Sequence, residues 1–145
     1  MIYASNERCA VTTVLGSCIA VCLWDPFTGA GGMNHYLLPL WNGEGLATPR
    51  YGNIAISMLI ERLMALGCAR SGLAAKIFGG AKVLGSSSGL LNVGERNIAF
   101  AESALAENGI RIVSRDTGGT AGRKITFLTG SGDVFVRRYV KTQGV

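Results

Sequence analysis

The sequence lacks the features of a membrane-inserted or secreted protein. No apolar run reaches the roughly 18 residues that a membrane-spanning helix needs. The first residues, MIYASNERCAV, lack the basic and apolar regions of a signal peptide. These absences predict a soluble, cytoplasmic protein without direct membrane insertion.

Charge and aromatic residues are also scarce, at 16% and 8% of the 145 residues. The net charge of +5 comes mostly from the last third of the chain. Its basic residues there are Arg111, Arg115, Arg123, Lys124, Arg137, Arg138 and Lys141. They are not interleaved with aromatics as a nucleic-acid stacking surface would require, so no nucleic-acid partner is predicted. Most of them suit a solvated face, and together they suit an acidic partner surface.

Four cysteines are present, and in a cytosolic chain of this length they are expected to be reduced thiols. Cys18 and Cys22 lie about 13 Å apart along a strand at roughly 3.3 Å per residue, which excludes a shared zinc ion or a disulfide. The FGGAKVL segment lacks the spacing of a phosphate-binding loop. We therefore predict no metal and no cofactor.

Periodicity predicts two helices packed on sheet. Apolar residues recur at helical spacing over 51–66, with Gly67 suited to end the helix, and Asn92 can cap a second helix over about 93–107. Strands are predicted over 10–15, 18–24, 33–39, 73–80, 110–116, 123–130 and 133–140. This order predicts an α/β (α+β) layered sandwich with a mixed or antiparallel β-sheet and two main helices packed on it.

The only histidine, His35, follows the segment that contains two of the cysteines. If Pro26 and Phe27 are the central residues of the connecting turn, Cys18 lies directly opposite His35, with Cβ atoms roughly 4.5–5.5 Å apart. If the turn centres on Thr28 and Gly29 instead, His35 faces Cys22. Both registers place a thiol beside the imidazole, and the sequence leaves both open.

The residues before Cys18 favour it as a nucleophile. Gly16 and Ser17 allow a sharp, exposed turn whose backbone N–H groups can point at a developing oxyanion. Cys22 lies in the middle of an apolar strand, as an inert buried thiol does, and Cys9 and Cys68 carry no comparable signal. Cys18 and His35 are therefore the candidate catalytic pair.

Sequence blocks distributed over nearly the whole chain carry a family resemblance. They are TTVLGSCIAVCLWDP, GGMNHYLLP, RYGNIAISMLIERL, KIFGGAKVL, NVGERN, DTGGTAGRK and TGSGDVFVRR. In these blocks the chain resembles the chemoreceptor glutamine deamidase family, CheD. The resemblance implies one deamidase domain over 1–145 with an α/β layered sandwich fold. Family members usually carry more residues before the first block, often as an edge strand, so a shortened or divergent terminus is expected.

The resemblance also implies roles for particular residues. The family nucleophile corresponds to Cys18 and its histidine to His35. Its third active-site residue, a threonine, corresponds to Thr12, which would hold the imidazole by a hydrogen bond; Thr13 is the adjacent alternative. The implied chemistry converts glutamine to glutamate through a thioester on the cysteine, releases ammonia, needs no cofactor and extends to glutamate methyl esters.

The implied substrate is the cytoplasmic helical region of methyl-accepting chemoreceptors, in chemotaxis adaptation. Some family members also bind a CheC-type phosphatase. The alternative hypothesis is a non-catalytic adaptor that docks on receptors or on such a phosphatase. Loss of Cys18 or His35 would favour the adaptor, but both residues are present. A cysteine protease is a weaker alternative, because no motif marks a peptide-binding cleft.

Overall fold

The computed structural model describes residues 1–41, 43–82 and 93–140. Within these ranges the chain forms eight strands and two α-helices. The strands are β1 (Ile2–Ser5), β2 (Ala10–Leu15), β3 (Ile19–Trp24), β4 (Gly31–Asn34), β5 (Ala74–Gly79), β6 (Arg111–Thr117), β7 (Gly122–Leu128) and β8 (Val134–Tyr139). The helices are α1 (Gly52–Ala65) and α2 (Val93–Glu107). Neither helix is long and apolar enough to cross a membrane.

The strands form two sheets. The central sheet has the order β1-β4-β3-β5-β6, and only its β5–β6 pair is parallel. The outer sheet is antiparallel, with the order β2-β7-β8. Both helices pack on one face of the central sheet and the outer sheet packs on the other. The predicted α+β layered sandwich is therefore confirmed.

Strand β3 is the middle of this sandwich, and all of its residues are buried. Ile19, Val21 and Leu23 belong to the apolar cluster beneath the helices. Ala20 and Cys22 belong to the cluster between the two sheets. The strand is apolar at consecutive positions because it has protein on both faces.

Most of the predicted elements are confirmed, with two main differences. The strand over 10–15 and the helix over 93–107 have the predicted bounds, although the proposed cap at Asn92 lies outside the described residues. No sequence pattern indicated β1, which forms one edge of the central sheet. The strand predicted over 33–39 is wrong in its bounds, since β4 is Gly31–Asn34 and only isolated bridges continue it.

The predicted pairing of β3 with β4 is also wrong in both alternatives. Cys22 lies opposite Met33, and Ile19 bridges Tyr36, so neither cysteine lies directly across from His35. The connecting turn consists of the four residues between Asp25 and Ala30. The Asp25 N–H donates to Ala30 O, and the Gly29 N–H donates to Asp25 O. Gly29 has a φ of 79°, a left-handed conformation that is common in hairpin loops of more than two residues. The turn therefore centres midway between the two predicted positions.

Glycines at the end of β5 let the chain pass very close to Cys18. A Cβ atom at Gly79 would run into the carbonyl oxygen of Cys18, and one at Gly94 of α2 would run into the carbonyl oxygen of Gly80. Gly79 also has a φ of 106°, a conformation that L-residues rarely adopt. Close approach and backbone conformation both require glycine here.

We expect Gly79→Ala to destabilise the fold more than Gly67→Ala. Gly67 has a similar φ of 102°, but nothing lies within 4 Å of the position that a Cβ atom would take there, so it reports the conformational strain alone. That strain costs about 1–3 kcal/mol in the free energy of unfolding. Gly79→Ala should add a further loss from the clash with Cys18, measured by urea unfolding. Equal losses in the two variants would contradict the packing argument.

Candidate active site

Cys18 lies in the short connection between β2 and β3 and is half-buried. All three carbonyls of the turn accept hydrogen bonds. The Ala81 N–H donates to Gly16 O at 2.9 Å and the Gly80 N–H to Cys18 O at 2.8 Å. The side-chain amide of Asn97 donates to Ser17 O at 3.0 Å. The direction of each carbonyl is therefore set by a neighbour.

The N–H groups of this turn are in the opposite situation. Within the described part of the chain, those of Ser17 and Cys18 donate to no backbone carbonyl. Gly16 is exposed, and a Cβ atom placed on it would have open space around it, with nothing within 4 Å. The Ser17 N–H is thus a donor without a backbone acceptor, and the Cys18 N–H faces its own thiol. N–H donors beside a nucleophile are the arrangement that stabilises an oxyanion.

His35 follows β4 and is half-buried. Its backbone N–H donates to Met1 O at 3.0 Å, which ties the segment to the first strand. Its ring Nδ1 lies 2.8 Å from the hydroxyl oxygen of Thr13 on β2. The Nε2 atom makes no hydrogen bond to any residue that the structure describes, so one ring nitrogen is anchored and the other remains available.

Cys18 and His35 lie on the same face of the central sheet. The bridge between Ile19 and Tyr36 continues the register of β3 and β4, which puts His35 across from Ala20. Ala20 and Cys18 both contact the cluster between the sheets. In this register Cys18 and His35 occupy diagonal positions, for which regular strands place the residues about 7–8 Å apart. The direct pairing that the sequence predicted is wrong.

The structure brings Thr13, and not Thr12, to the imidazole. Thr12 instead points to the outer face of the outer sheet, where its hydroxyl lies 3.0 Å from that of Thr126. The reason is the pleat of β2, along which successive side chains point to opposite faces. The hydrogen bond predicted for Thr12 is thus made by its neighbour.

Burial moves the pKa values of the two candidate residues in opposite directions. It raises the pKa of the Cys18 thiol, an effect that its own backbone N–H only partly opposes. It lowers the pKa of His35. Both shifts favour the uncharged form of the group. At neutral pH the pair therefore rests as a thiol and a neutral imidazole.

Asn97 is the residue of this site that sequence patterns did not reveal. It lies on α2 and is fully buried, and its amide bonds the carbonyls of Ser17 and Leu37. The available signal was a polar residue on the inward face of an amphipathic helix, within the NVGERN block. The partners of such a residue cannot be read from helical periodicity.

The other cysteines have structural surroundings. Cys22 is fully buried, which raises the pKa of its thiol far above the usual range. Cys68 is also buried, and the half-exposed Cys9 lies 2.9 Å from the hydroxyl of Tyr3. None of the four forms a disulfide, as expected. Among the described residues no group of three His, Cys, Asp or Glu side chains could hold a metal ion.

Comparisons with known proteins find similar sequences over most of the chain. A family model described as CheD chemotactic sensory transduction matches residues 37–138. A protein of Trichlorobacter lovleyi named "Probable chemoreceptor glutamine deamidase CheD" is 54% identical over 136 residues, which cover 94% of this chain and 84% of that protein. The Sulfurimonas denitrificans protein of the same name is 53% identical over 144 residues, 98% of this chain and 92% of its own.

We expect Thr13→Val, but not Thr12→Val, to change the environment of His35. The first variant removes the hydroxyl from Nδ1, and the second removes only an exposed contact. Because His35 is the only histidine, its ring gives a single set of NMR signals. Thr13→Val should shift them and lower the free energy of unfolding by about 1 kcal/mol. A larger shift in Thr12→Val would contradict the assignment.

Proposed function

This chain belongs to the CheD family, and from that premise we propose that it is an amidohydrolase that deamidates specific glutamines of methyl-accepting chemoreceptors. Cys18 acts as the nucleophile and His35 as the base. The observation that carries the proposal is that the two side chains share one face of the central sheet while Thr13 anchors the imidazole through Nδ1.

The first step is attack on the side-chain amide carbon of the substrate glutamine. Because the resting thiol is protonated, Nε2 of His35 takes its proton as the sulfur attacks. This requires the proton of the neutral ring to lie on Nδ1, where the hydroxyl oxygen of Thr13 accepts a hydrogen bond from it. Thr13 thereby holds the basic nitrogen toward Cys18, as the orienting member of a triad does.

The tetrahedral intermediate carries a negative oxygen, which the N–H groups of Ser17 and Cys18 stabilise. Loss of one such donor costs about 10²–10³ in rate in other acyl-transfer enzymes. The intermediate collapses when His35 returns its proton to the nitrogen, so that ammonia leaves and a thioester forms. Water then loses a proton to the same imidazole and cleaves the thioester, which yields glutamate and the free thiol.

The surface around the site supports an acidic protein substrate. Leu37 and Leu38, which directly follow Tyr36 in the chain, are exposed. On the outer sheet, the exposed face carries Lys124 and Arg137 as paired neighbours, next to the exposed Phe135. A basic and apolar surface of this kind complements the helical, acid-rich cytoplasmic region of a chemoreceptor.

Further properties belong to the same proposal. A thioester enzyme can also hydrolyse glutamate methyl esters, because the acyl group is the same and only the leaving group differs. A CheC-type phosphatase is a second proposed partner, and the cytoplasm, where the receptor helices and reduced thiols occur, is the proposed location. The adaptor hypothesis is disfavoured, because the curated relatives carry the names of deamidases.

Deamidation is tested by mass spectrometry of a receptor cytoplasmic fragment after incubation with the protein. Each conversion of glutamine to glutamate adds about one mass unit and can be located by peptide sequencing. We expect conversion with the wild type and a loss of at least about 10³-fold in Cys18→Ala and His35→Ala, which lack the nucleophile or the base. Cys9→Ala is the matched control, because it removes a half-exposed thiol from another part of the fold. Conversion that persists in Cys18→Ala would refute the mechanism.

The raised pKa of Cys18 predicts how fast iodoacetamide alkylates it at different pH values. Only the thiolate reacts, and its fraction rises about tenfold per pH unit below the pKa. The alkylation rate should therefore climb from about pH 6 to about pH 8, because burial keeps the thiol protonated. Burial lowers the pKa of His35 and keeps its ring neutral at pH values below the ordinary histidine pKa. The deamidation rate should therefore fall only when the pH drops below that ordinary value. A plateau of alkylation below pH 7 would indicate a preformed thiolate, contrary to this mechanism.

A further inference from the structure

The side chain of Asn97 joins the two chain segments that carry Cys18 and His35. Its Nδ2 atom lies 3.0 Å from the carbonyl oxygen of Ser17, the residue before Cys18. The same atom lies 2.9 Å from the carbonyl oxygen of Leu37, two residues after His35. One amide group thus uses both of its hydrogens, one on each segment.

Asn97 is itself held in place. It is fully buried on α2, and its backbone carbonyl accepts a hydrogen bond of 2.6 Å from the hydroxyl of Tyr36. Tyr36 is the residue between His35 and Leu37. Asn97 therefore both donates a hydrogen bond to this segment and accepts one from it. Close packing of Gly94 against the carbonyl of Gly80 fixes the start of the same helix.

The chemistry of this position selects an amide. Two carbonyl oxygens converge on it and need two donors from one planar group. A serine or threonine hydroxyl offers one donor, and an aspartate would direct a negative charge at two acceptors. The NH₂ group of asparagine supplies both donors, and its side chain has the length that the observed distances require.

From these contacts we propose that Asn97 is a positioning residue that sets the distance and orientation of Cys18 relative to His35. The proposal rests on the proposed function, in which these two residues exchange a proton. Asn97 touches neither the substrate nor the reacting atoms, and it acts through the backbone on both sides. Since it also fixes the Ser17 carbonyl, it holds the neighbouring N–H groups toward the substrate.

The test compares Asn97→Ala with Asn108→Ala in the full chain. Asn108 lies just beyond the other end of α2 and donates its amide to Ala104 O at 2.8 Å, so it controls for loss of an amide contact on the same helix. We expect Asn97→Ala to lower kcat about 10–100-fold with KM within about twofold, because a small misplacement slows proton transfer without removing a substrate contact. Asn108→Ala should keep both parameters within about twofold.

A second measurement does not depend on activity. The NMR titration of His35, the only histidine, should move toward the ordinary histidine pKa in Asn97→Ala, because the segment is released from its buried position. It should not move in Asn108→Ala.

If Asn97→Ala does not fold, Asn97→Ser, which keeps one donor, should show an intermediate loss of kcat. A folded Asn97 variant with wild-type kcat and an unchanged His35 titration would overturn the proposal. If the wild type does not deamidate, the proposed function fails, and the titration still decides the role of Asn97.

Discussion

The arrangement around Cys18 depends on the hydrogen bonds that its turn receives from the end of β5. The N–H groups of Gly80 and Ala81 take up the carbonyls of Cys18 and Gly16, and the amide of Asn97 takes up that of Ser17. The carbonyl and N–H of a trans peptide point in opposite directions. The bonds that fix the carbonyls of Gly16 and Ser17 therefore also fix the directions of the N–H groups of Ser17 and Cys18, which belong to the same two peptides.

Burial affects both the ionisation of Cys18 and His35 and the resistance of the Cys18 thiol to oxidation. It makes the thiol harder to ionise and the imidazole harder to protonate, so an ion pair does not form in advance. Oxidants react with the thiolate form of cysteine. A thiol that stays protonated is therefore oxidised slowly. In the proposed mechanism the buried thiol is protected until the imidazole of His35, whose Nδ1 lies against the Thr13 hydroxyl, takes its proton. In that mechanism the proton is transferred at the moment of attack.

The sequence predicted the fold class and most elements, because strand and helix periodicity are local. The predicted pairing of His35 with a cysteine was wrong, because the register depended on a four-residue turn that composition does not determine. The choice between Thr12 and Thr13 depended on which face of β2 meets the central sheet, and this is a tertiary property. Asn97 was missed for the same reason. Its two acceptors lie 60 and 80 residues away along the chain, beyond the range of any local pattern.

That separation in sequence has a consequence for folding. The turn around Cys18 is completed by β5 and α2, which follow it at a long distance along the chain, so no early local structure contains it. Contacts of such long range carry a large entropic cost of loop closure, which other interactions of the fold must offset. An incompletely folded chain would expose a thiol without oriented donors or a positioned base. The proposed chemistry therefore depends on contacts that join the turn to residues 60 or more positions later in the chain.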